Sequence, residues 1–371
     1  MKVVKVLCTV LVAVAAFVPQ SERILGKNVE LTGDDLVDYV NKAQNLFTAK
    51  LSPRFSEYPT AIKRRLMGSK YVAIPSKYRV SKLVNNCKIL KQIQEQLMGT
   101  PLFKVNEVTH DDIDDSAIPS SFDSRTQWPN CPSIKSIRDQ SSCGSCWAFG
   151  AAEAMTDRIC IASKGAIQFT VSADDLLSCC DECGFGCDGG FPYAAWNYWV
   201  EKGIVSGGSY TSKSGCKPYP FPPCEHHTNG THYHPCPKDL YPTNTCEHKC
   251  QSGYATAYTN DKRYGAKAYT VAARVKAIQK EIMLHGPVEV AYDVYEDFEH
   301  YLKGIYKHTA GSYLGGHAVK MIGWGTENGI PYWICSNSWN SDWGENGFFR
   351  ILRGTDECGI ESGVVAGLPK I

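Results

Sequence analysis

The sequence predicts an α+β fold in which a largely helical half is followed by a half built mainly of strands. From residue 118 to about 250, segments with helical apolar spacing alternate with cysteine-rich loops. From 288 to 352, short runs rich in Val, Ile, Tyr and Phe are separated by glycine, a pattern typical of strands. A helical lobe followed by a strand lobe predicts a cleft between the two.

The local patterns define the individual elements. Helical periodicity and N-terminal capping residues predict helices, in chain order, at 33–50, 79–98, 147–161, 172–179, 192–202 and 272–284. The segment 204–265, crowded with proline, glycine, histidine and cysteine, is predicted to be loop. Apolar runs bounded by glycine predict strands at 288–295, 317–323, 331–336 and 347–352.

Charge and hydropathy exclude several classes of protein. The formal net charge of the 371 residues is +1, which gives no electrostatic basis for binding nucleic acid or an anionic membrane. Residues 1–20 are typical of a secretory signal, because two lysines precede an apolar run that is too short to span a membrane. No later apolar segment is long enough either. We therefore expect a protein of the secretory pathway that is lysosomal or secreted.

The cysteine content points to the same compartment. Fifteen of the 17 cysteines lie at or after Cys131, and most of these should pair in an oxidising environment. The cluster from Cys179 to Cys187 includes a CxxC spacing that also suits zinc, but the signal sequence and the many other cysteines favour disulfides. We expect no metal and no cofactor. The odd number guarantees at least one free thiol.

One of these cysteines has the surroundings of a nucleophile. Cys146 follows Gly144 and Ser145 at the start of a predicted helix, where unpaired N–H groups and the helix dipole lower the pKa of a thiol. The amide of Gln140 is near enough in sequence to stabilise a developing oxyanion. The alternative is a disulfide cysteine beside the buried indole of Trp147. The motif C-G-S-C-W favours the nucleophile.

A base and a group to orient it are present later in the chain. His317 follows two glycines at the start of a predicted strand, and Asn337 follows the end of another strand. An asparagine amide can fix an imidazole without adding charge, and the indole of Trp339 would shield that bond from water. A lone histidine at a strand start is usually structural. In this order, however, Cys146, His317 and Asn337 indicate thiol catalysis.

The chain from Ile118 onward resembles the papain family of cysteine proteases, and within it the cathepsin B branch. The resemblance implies Cys146 as nucleophile, His317 as its acid and base, Asn337 as orienting group and Gln140 as oxyanion donor. It also implies a papain-like two-lobed fold, with a helical left lobe and a β-barrel-like right lobe on either side of the cleft. The implied regions are a signal at 1–20, a pro-segment at 21–117, a mature peptidase at 118–371, a helical lobe at about 130–250 and a β lobe at about 251–371.

The resemblance extends to an occluding loop at about 222–242. In that branch, paired histidines hold the C-terminal carboxylate of a substrate, and here these would be His226 and His227. The enzyme would then remove C-terminal dipeptides and also cut internally when the loop lifts. The alternatives are a solvated histidine-rich loop, an enzyme that is mainly an endopeptidase and, less favoured, an inactive binding homologue that would be expected to lack Cys146.

Two contacts would pin the loop, His226 to Asp139 and His232 to Asp342. Position 232 is ordinarily arginine in the branch, whereas a histidine holds an aspartate well only when it is protonated. We therefore expect the latch to weaken as pH rises. Asn229 lies in the same loop, in an Asn-Gly-Thr acceptor sequence for glycosylation.

The resemblance also implies the substrate pocket and the disulfides. The branch carries an acidic residue at the pocket base, where this chain has Gly363; we expect a preference for bulky apolar side chains and weak acceptance of arginine. The implied contact residues are Gly190, Phe191, Pro192, Ala291, Ala318, Trp339 and Gly363. The implied pairs are Cys131–Cys160, Cys143–Cys187, Cys179–Cys246, Cys180–Cys183, Cys216–Cys250 and Cys224–Cys236.

The expected partners follow from this assignment. They are protein and peptide substrates, the chain's own pro-segment as inhibitor, and inhibitors of the cystatin type. A monomer is expected. Acid should loosen the pro-segment, because its Asp and Glu side chains titrate as pH falls.

Overall fold

A computed structural model describes residues 31–70, 106–225 and 232–371. The predicted signal, the predicted helix at 79–98 and the three loop residues His226, His227 and Asn229 lie outside these ranges. None of the helices within the described ranges combines the length and apolar character that a membrane crossing requires.

The described residues form ten α-helices. In chain order α1 to α10 are Gly33–Ala43, Pro53–Glu57, Thr60–Leu66, Ser124–Gln127, Cys146–Ala162, Ala173–Cys179, Pro192–Glu201, Tyr258–Asp261, Val275–His285 and Glu296–Glu299. Short 3₁₀ turns lie at Asp115–Ala117, Pro132–Lys135, Asp181–Cys183, Gly186–Asp188 and Glu357–Gly359.

Twelve strands are formed in the same ranges. In chain order β1 to β12 are Phe47–Ala49, Glu107–Val108, Phe122–Asp123, Cys224–Glu225, His234–Pro235, Gly265–Val271, Val288–Tyr295, Tyr301–Tyr306, Tyr313–Glu327, Ile330–Ser336, Phe348–Leu352 and Gly363–Pro369.

Ten of these strands make one large sheet. Its order is β1-β8-β11-β10-β9-β7-β12-β6-β2, with β3 paired to β9, and most neighbours are antiparallel. β4 and β5 form a separate two-stranded pair at the base of the loop. The predicted α+β class, with helices first and strands later, is confirmed.

The longest helix, α5, lies between the two halves. Every residue from Cys146 to Cys160 is buried, which is typical of a helix enclosed on all sides. One face packs in an apolar cluster with α6 and α7, and another packs on β9 through the ion pair from Lys320 to Asp157 at 2.8 Å. The residue that begins this helix therefore lies where the helical half meets the sheet.

Several predicted boundaries differ from the structure. The predicted helix at 272–284 begins only at Val275, because β6 continues to Val271 and Arg274 has extended backbone angles. Eight of the twelve strands in the described ranges were not predicted: the two- and three-residue strands β1 to β5, and the longer strands β6, β8 and β12. β6, β8 and β12 each contain glycine, and all three are stabilised by pairing with strands distant in sequence, which local propensity does not reveal.

The structure contains six disulfides, and they are the six pairs that the resemblance implies. The short Cys180–Cys183 bridge is among them. The three remaining cysteines in the described ranges are free: Cys146, Cys335 and Cys358. The full set of bridges is Cys131–Cys160, Cys143–Cys187, Cys179–Cys246, Cys180–Cys183, Cys216–Cys250 and Cys224–Cys236.

Candidate active site

Cys146 is the first residue of α5, as the sequence predicts. A tight approach of three chain segments positions it. The N–H of Gly144 donates to the carbonyl of Cys187 at 2.8 Å, and a Cβ atom on Gly144 would lie 2.3 Å from the carbonyl oxygen of Arg65. Only glycine fits at position 144 in this arrangement, so this glycine fixes the turn that leads into the nucleophile.

His317 lies on β9 and Asn337 directly follows β10. The Oδ1 atom of Asn337 accepts from His317 Nε2 at 2.8 Å and from the N–H of Ser338 at 2.9 Å. The ring of Trp339 lies 5.0 Å from the imidazole, and all these side chains are buried. The structure therefore contains the bond between His317 and Asn337 and the neighbouring indole of Trp339 that the sequence predicts.

The thiol and the imidazole belong to opposite walls of one cleft. The backbone N–H of Ala318, the residue after His317, reaches the thiol of Cys146. The other ring nitrogen of His317, Nδ1, is buried and has no hydrogen-bond partner within the described residues. The ring is thus held through Nε2, and Nδ1 remains for the reaction.

Gln140 presents its amide to the same cleft. Its Nε2 donates to the carbonyls of Cys143 at 2.8 Å and Leu66 at 3.1 Å, and its Oε1 accepts from the hydroxyl of Ser338 at 2.7 Å. The hydroxyl of Tyr219 also donates to the backbone carbonyl of Gln140 at 2.8 Å. An amide held at both ends is a preorganised donor for a carbonyl oxygen.

The sequence reasoning missed two of these supporting residues. The hydroxyl of Ser338 binds Oε1 of Gln140 and so fixes which end of the amide faces the cleft. Its position next to Asn337 in the sequence could have identified it as a residue of the site. Tyr219 lies 79 positions from Gln140, and no local pattern connects them.

Residues 66–70 occupy the cleft. The N–H of Ser69 donates to the carbonyl of Gly316 at 2.9 Å, on the β wall. On the helical wall, Gly190 donates to Gly68 at 2.8 Å and accepts from Lys70 at 2.9 Å. Gly68 passes so close to Gly144 that a Cβ atom on it would lie 1.8 Å from the carbonyl oxygen of Gly144. A peptide segment is thus bound across the active centre.

Burial in this closed form shifts the pKa of both Cys146 and His317. Burial raises the pKa of Cys146 to about 12, and burial lowers the pKa of His317 to about 4. The predicted lowering of the thiol pKa by the helix is therefore wrong for this closed form. Exclusion of water destabilises the thiolate more than the helix terminus and the nearby backbone N–H groups stabilise it. Both shifts favour the neutral thiol and the neutral imidazole in this closed form.

The expected pocket residues come together beside the thiol. Ala291 on β7 pairs with Ala318 on β9 and with Gly363 on β12, so the three are neighbours on adjacent strands. Across the cleft, Phe191 and Pro192 begin α7 immediately after Gly190. No side chain projects from position 363, so the pocket has no acidic group there.

One predicted loop contact can be examined directly. His232 Nδ1 lies 3.1 Å from both carboxylate oxygens of Asp342. The carboxylate of Asp139 accepts from the backbone N–H groups of Ser141 at 2.6 Å and Cys224 at 3.2 Å, at the start of the loop. Its predicted contact with His226 lies outside the described residues.

The fold, together with Cys146 and His317 on the two walls of one cleft, defines a cysteine peptidase. The sequence profile described as "Papain family cysteine protease" matches residues 118–368. The chain therefore belongs to the papain family of cysteine proteases.

Similar proteins indicate the branch of this family to which the chain is most alike. The chain is 58% identical to "Cathepsin B-like cysteine proteinase 6" of Caenorhabditis elegans over 356 residues, which are 95% of this chain and 87% of that protein. It is 59% identical to "Cathepsin B-like cysteine proteinase" of Schistosoma japonicum over 263 residues, which are 71% and 76% of the two chains. Its fold matches the solved structure of "proCathepsin B S9 from Trypanosoma congolense" with a TM-score of 0.73 and 33% identity, covering 92% of this chain and all of that one. The protein is a cathepsin B-like cysteine peptidase zymogen that acts on peptides and is inhibited by its own pro-segment.

Proposed function

We propose that Cys146, His317, Asn337 and Gln140 carry out peptide-bond hydrolysis once the pro-segment has left the cleft. The Cys146 sulfur attacks the scissile carbonyl carbon, and the resulting oxyanion accepts from the Gln140 amide. His317, protonated by the thiol, then gives its proton to the departing amine, which leaves a thioester. Water attacks the thioester with His317 as base, releasing the acid and restoring the thiol.

The observation that carries this proposal is the 2.8 Å bond from His317 to Asn337 beside a free, buried Cys146. The test is covalent labelling of the processed enzyme by an epoxide thiol inhibitor. We expect one label per molecule and complete loss of labelling and of peptidase activity in Cys146→Ala. Cys358→Ala, which removes a different free thiol, serves as control and should keep both. An unlabelled but folded wild-type enzyme would instead support the inactive binding homologue.

The chain organisation supports a secretory zymogen. The proposed regions are the signal at 1–20, the pro-segment at 21–117 and the mature peptidase at 118–371, with a processing cut near Ile118. We propose a lysosomal or secreted location and a monomeric mature enzyme open to cystatin-type inhibitors. N-terminal sequencing of the secreted and processed forms tests both boundaries.

The loop supports a second activity, removal of C-terminal dipeptides. We propose that His226 and His227 bind the carboxylate of the substrate and that Asn229 carries a glycan. The 3.1 Å contact between His232 and Asp342 supports a latch that is an ion pair only when the imidazole is protonated. The ratio of internal cleavage to dipeptide removal should therefore rise from pH 4.5 to 7.5. A constant ratio would count against the latch.

The alternative, a predominantly internal peptidase, rests on the same contact. The side chain of His232 is 58% exposed, so solvent screens its attraction to Asp342. Replacing His232 by arginine distinguishes the two possibilities. If the loop normally restricts the cleft, H232R should increase dipeptide removal above pH 6.5.

A further inference from the structure

One face of β7 lies at the interface between the helical lobe and the strand lobe. Alternate residues of a strand share a face, so Glu289, Ala291 and Asp293 point to the same side. Glu289 packs against Gly150 of α5, because a Cβ atom on that glycine would lie 3.0 Å from the Glu289 carboxylate. Ala291 comes next, beside the pocket. Asp293 therefore lies on the same face of the sheet as Ala291, one step further from α5.

The strand register places Asp293 beside the bound peptide segment. Asp293 is paired with Gly316, and Gly316 is bridged on its other side by Ser69. Adjacent strands are about 4.8 Å apart, so the backbone in the cleft lies about 10 Å from Asp293. Gly316 contributes no side chain to the space between them. A long side chain at the position of Ser69 can therefore extend over Gly316 toward the carboxylate.

Within the described residues, the carboxylate of Asp293 has no cationic partner. The hydroxyl of Tyr313 donates to it, and Asp356, in the loop before Gly363, adds a second negative charge nearby. Within the described residues no lysine, arginine or histidine forms an ion pair with it. Partial burial, followed by the charge of Asp356, raises the pKa of Asp293 to about 6. An acidic group in a peptide-binding cleft without a cationic partner is suited to a cation from the substrate.

We propose that Asp293 is a specificity-determining residue that binds a basic side chain, arginine or lysine, of the peptide held in the cleft. This inference rests on the proposed pocket and revises the expectation drawn from Gly363. That expectation considered only position 363 on β12, whereas Asp293 lies two residues beyond Ala291 on the neighbouring strand β7. Apolar side chains still fit against Ala291 and Ala318, so the pocket accepts both classes.

The test compares two short fluorogenic peptides that differ only at the second residue before the cut, with arginine or phenylalanine. At pH 6.5 to 7, Asp293→Asn should lower kcat/KM for the arginine peptide by about tenfold or more, because a desolvated ion pair is lost. The phenylalanine peptide should be cleaved within about twofold of the wild-type rate. Glu201→Gln, at an exposed position on α7, is the matched carboxyl-to-amide control and should change neither.

A charge reversal makes the result independent of partial misfolding. Asp293→Lys should cleave a peptide with glutamate at that position better than the wild-type enzyme does. Equal losses on the arginine and phenylalanine peptides, or no change on either, would overturn the assignment of Asp293. Failure of the wild-type enzyme to cleave any peptide would instead overturn the proposed function.

Discussion

Residues 33–70 and residues 106–117 both precede Ile118, but they contact the peptidase domain by different forces. The first segment is held mainly by buried groups. Phe55 is fully buried with its ring 4.9 Å from that of Trp339, and Lys63 pairs with the buried Glu299 at 3.0 Å. Together with Gly68 in the cleft, these contacts close the active site by excluding water.

The second segment is held mainly by ion pairs along α9. Asp111 pairs with Arg274 at 2.7 Å and Asp115 with Lys276 at 2.5 Å, and these four side chains are roughly half exposed. Two contacts have a more buried partner: His110 joins Glu281 at 2.6 Å, and the buried Lys280 pairs with Asp115 at 2.8 Å. The two-residue strand β2 adds backbone pairing to β6.

The two segments should therefore respond differently to acid. Hydrogen bonds to Lys276 and Lys280 lower the pKa of Asp115 to about 2 from an ordinary 3.8. Its contribution is complete above pH 3.8 and is lost only as pH falls through about 2, so the ion pairs of Asp115 persist at pH 4.5. The expectation that titrating Asp and Glu side chains loosen the pro-segment therefore does not hold for Asp115 above about pH 2.

The first segment, residues 33–70, contains a hydrogen bond that protonation of a histidine would break. The backbone N–H of Ser52 donates to Nδ1 of the buried His300 at 3.2 Å, so this ring nitrogen must be unprotonated. Protonation of His300 at Nδ1 would convert the acceptor into a donor and break the bond. The comparison predicts that protonation of His300 would weaken the segment that closes the cleft, whereas Asp115 would keep its ion pairs in the segment next to Ile118.

The largest expected effect comes from truncating the buried aromatic anchor. Phe55→Ala removes a fully buried ring, and such changes typically cost about 3–5 kcal/mol. The intact zymogen should then react with an epoxide thiol inhibitor at neutral pH, where the wild type is protected. Tyr39→Ala, at a side chain that is 48% exposed, is the control. Continued protection of Phe55→Ala would show that residues 66–70 hold the cleft by themselves.

The next effect should come from the glycine in the cleft. Gly68→Val places a side chain against the carbonyl of Gly144, and overpacking of this kind costs about 1–3 kcal/mol. Labelling of Cys146 in the zymogen should accelerate, and the processed domain should bind the isolated pro-segment peptide more weakly. Asn45→Val, in an exposed bend, should leave both measurements unchanged.

A moderate, pH-specific effect is expected at His300. His300→Asn keeps an acceptor near Nδ1 that acid cannot protonate, so one hydrogen bond worth about 1 kcal/mol survives at low pH. Labelling of the zymogen at pH 4.5 should slow relative to wild type, whereas labelling at pH 7.5 should not. The exposed His248→Asn is the control. The idea fails if the two zymogens open with identical pH profiles.

The smallest effect is expected at the exposed ion pairs of the second segment. Lys276→Ala removes one partner of Asp115, and its influence on closure of the cleft should be undetectable. Hydrogen exchange on a Cys146→Ser zymogen gives the direct comparison. At pH 4.5, amides of 33–70 should lose protection before those of 106–117, and Lys276→Ala should modestly hasten exchange only in the latter. The reverse order would contradict the acid assignment.

The sequence alone determined the class of protein and most of its chemistry. Helical and strand periodicity are local signals, so α5, α7, β7 and β10 were predicted close to their observed bounds. The motif at Cys146 and the residues around His317 and Asn337 are also short patterns that sequence carries in full. The three free cysteines and six disulfides agree with the resemblance.

Only the tertiary structure decided what depends on register and burial. The strands β8 and β12 form because distant partners pair with them, and the raised pKa of Cys146 comes from its burial in the folded chain. Asp293 was not singled out from the sequence, because its importance comes from alignment with Gly316 and Ser69 across two strand pairings. Local residue types fix which groups are available, whereas the fold fixes their neighbours and their access to water.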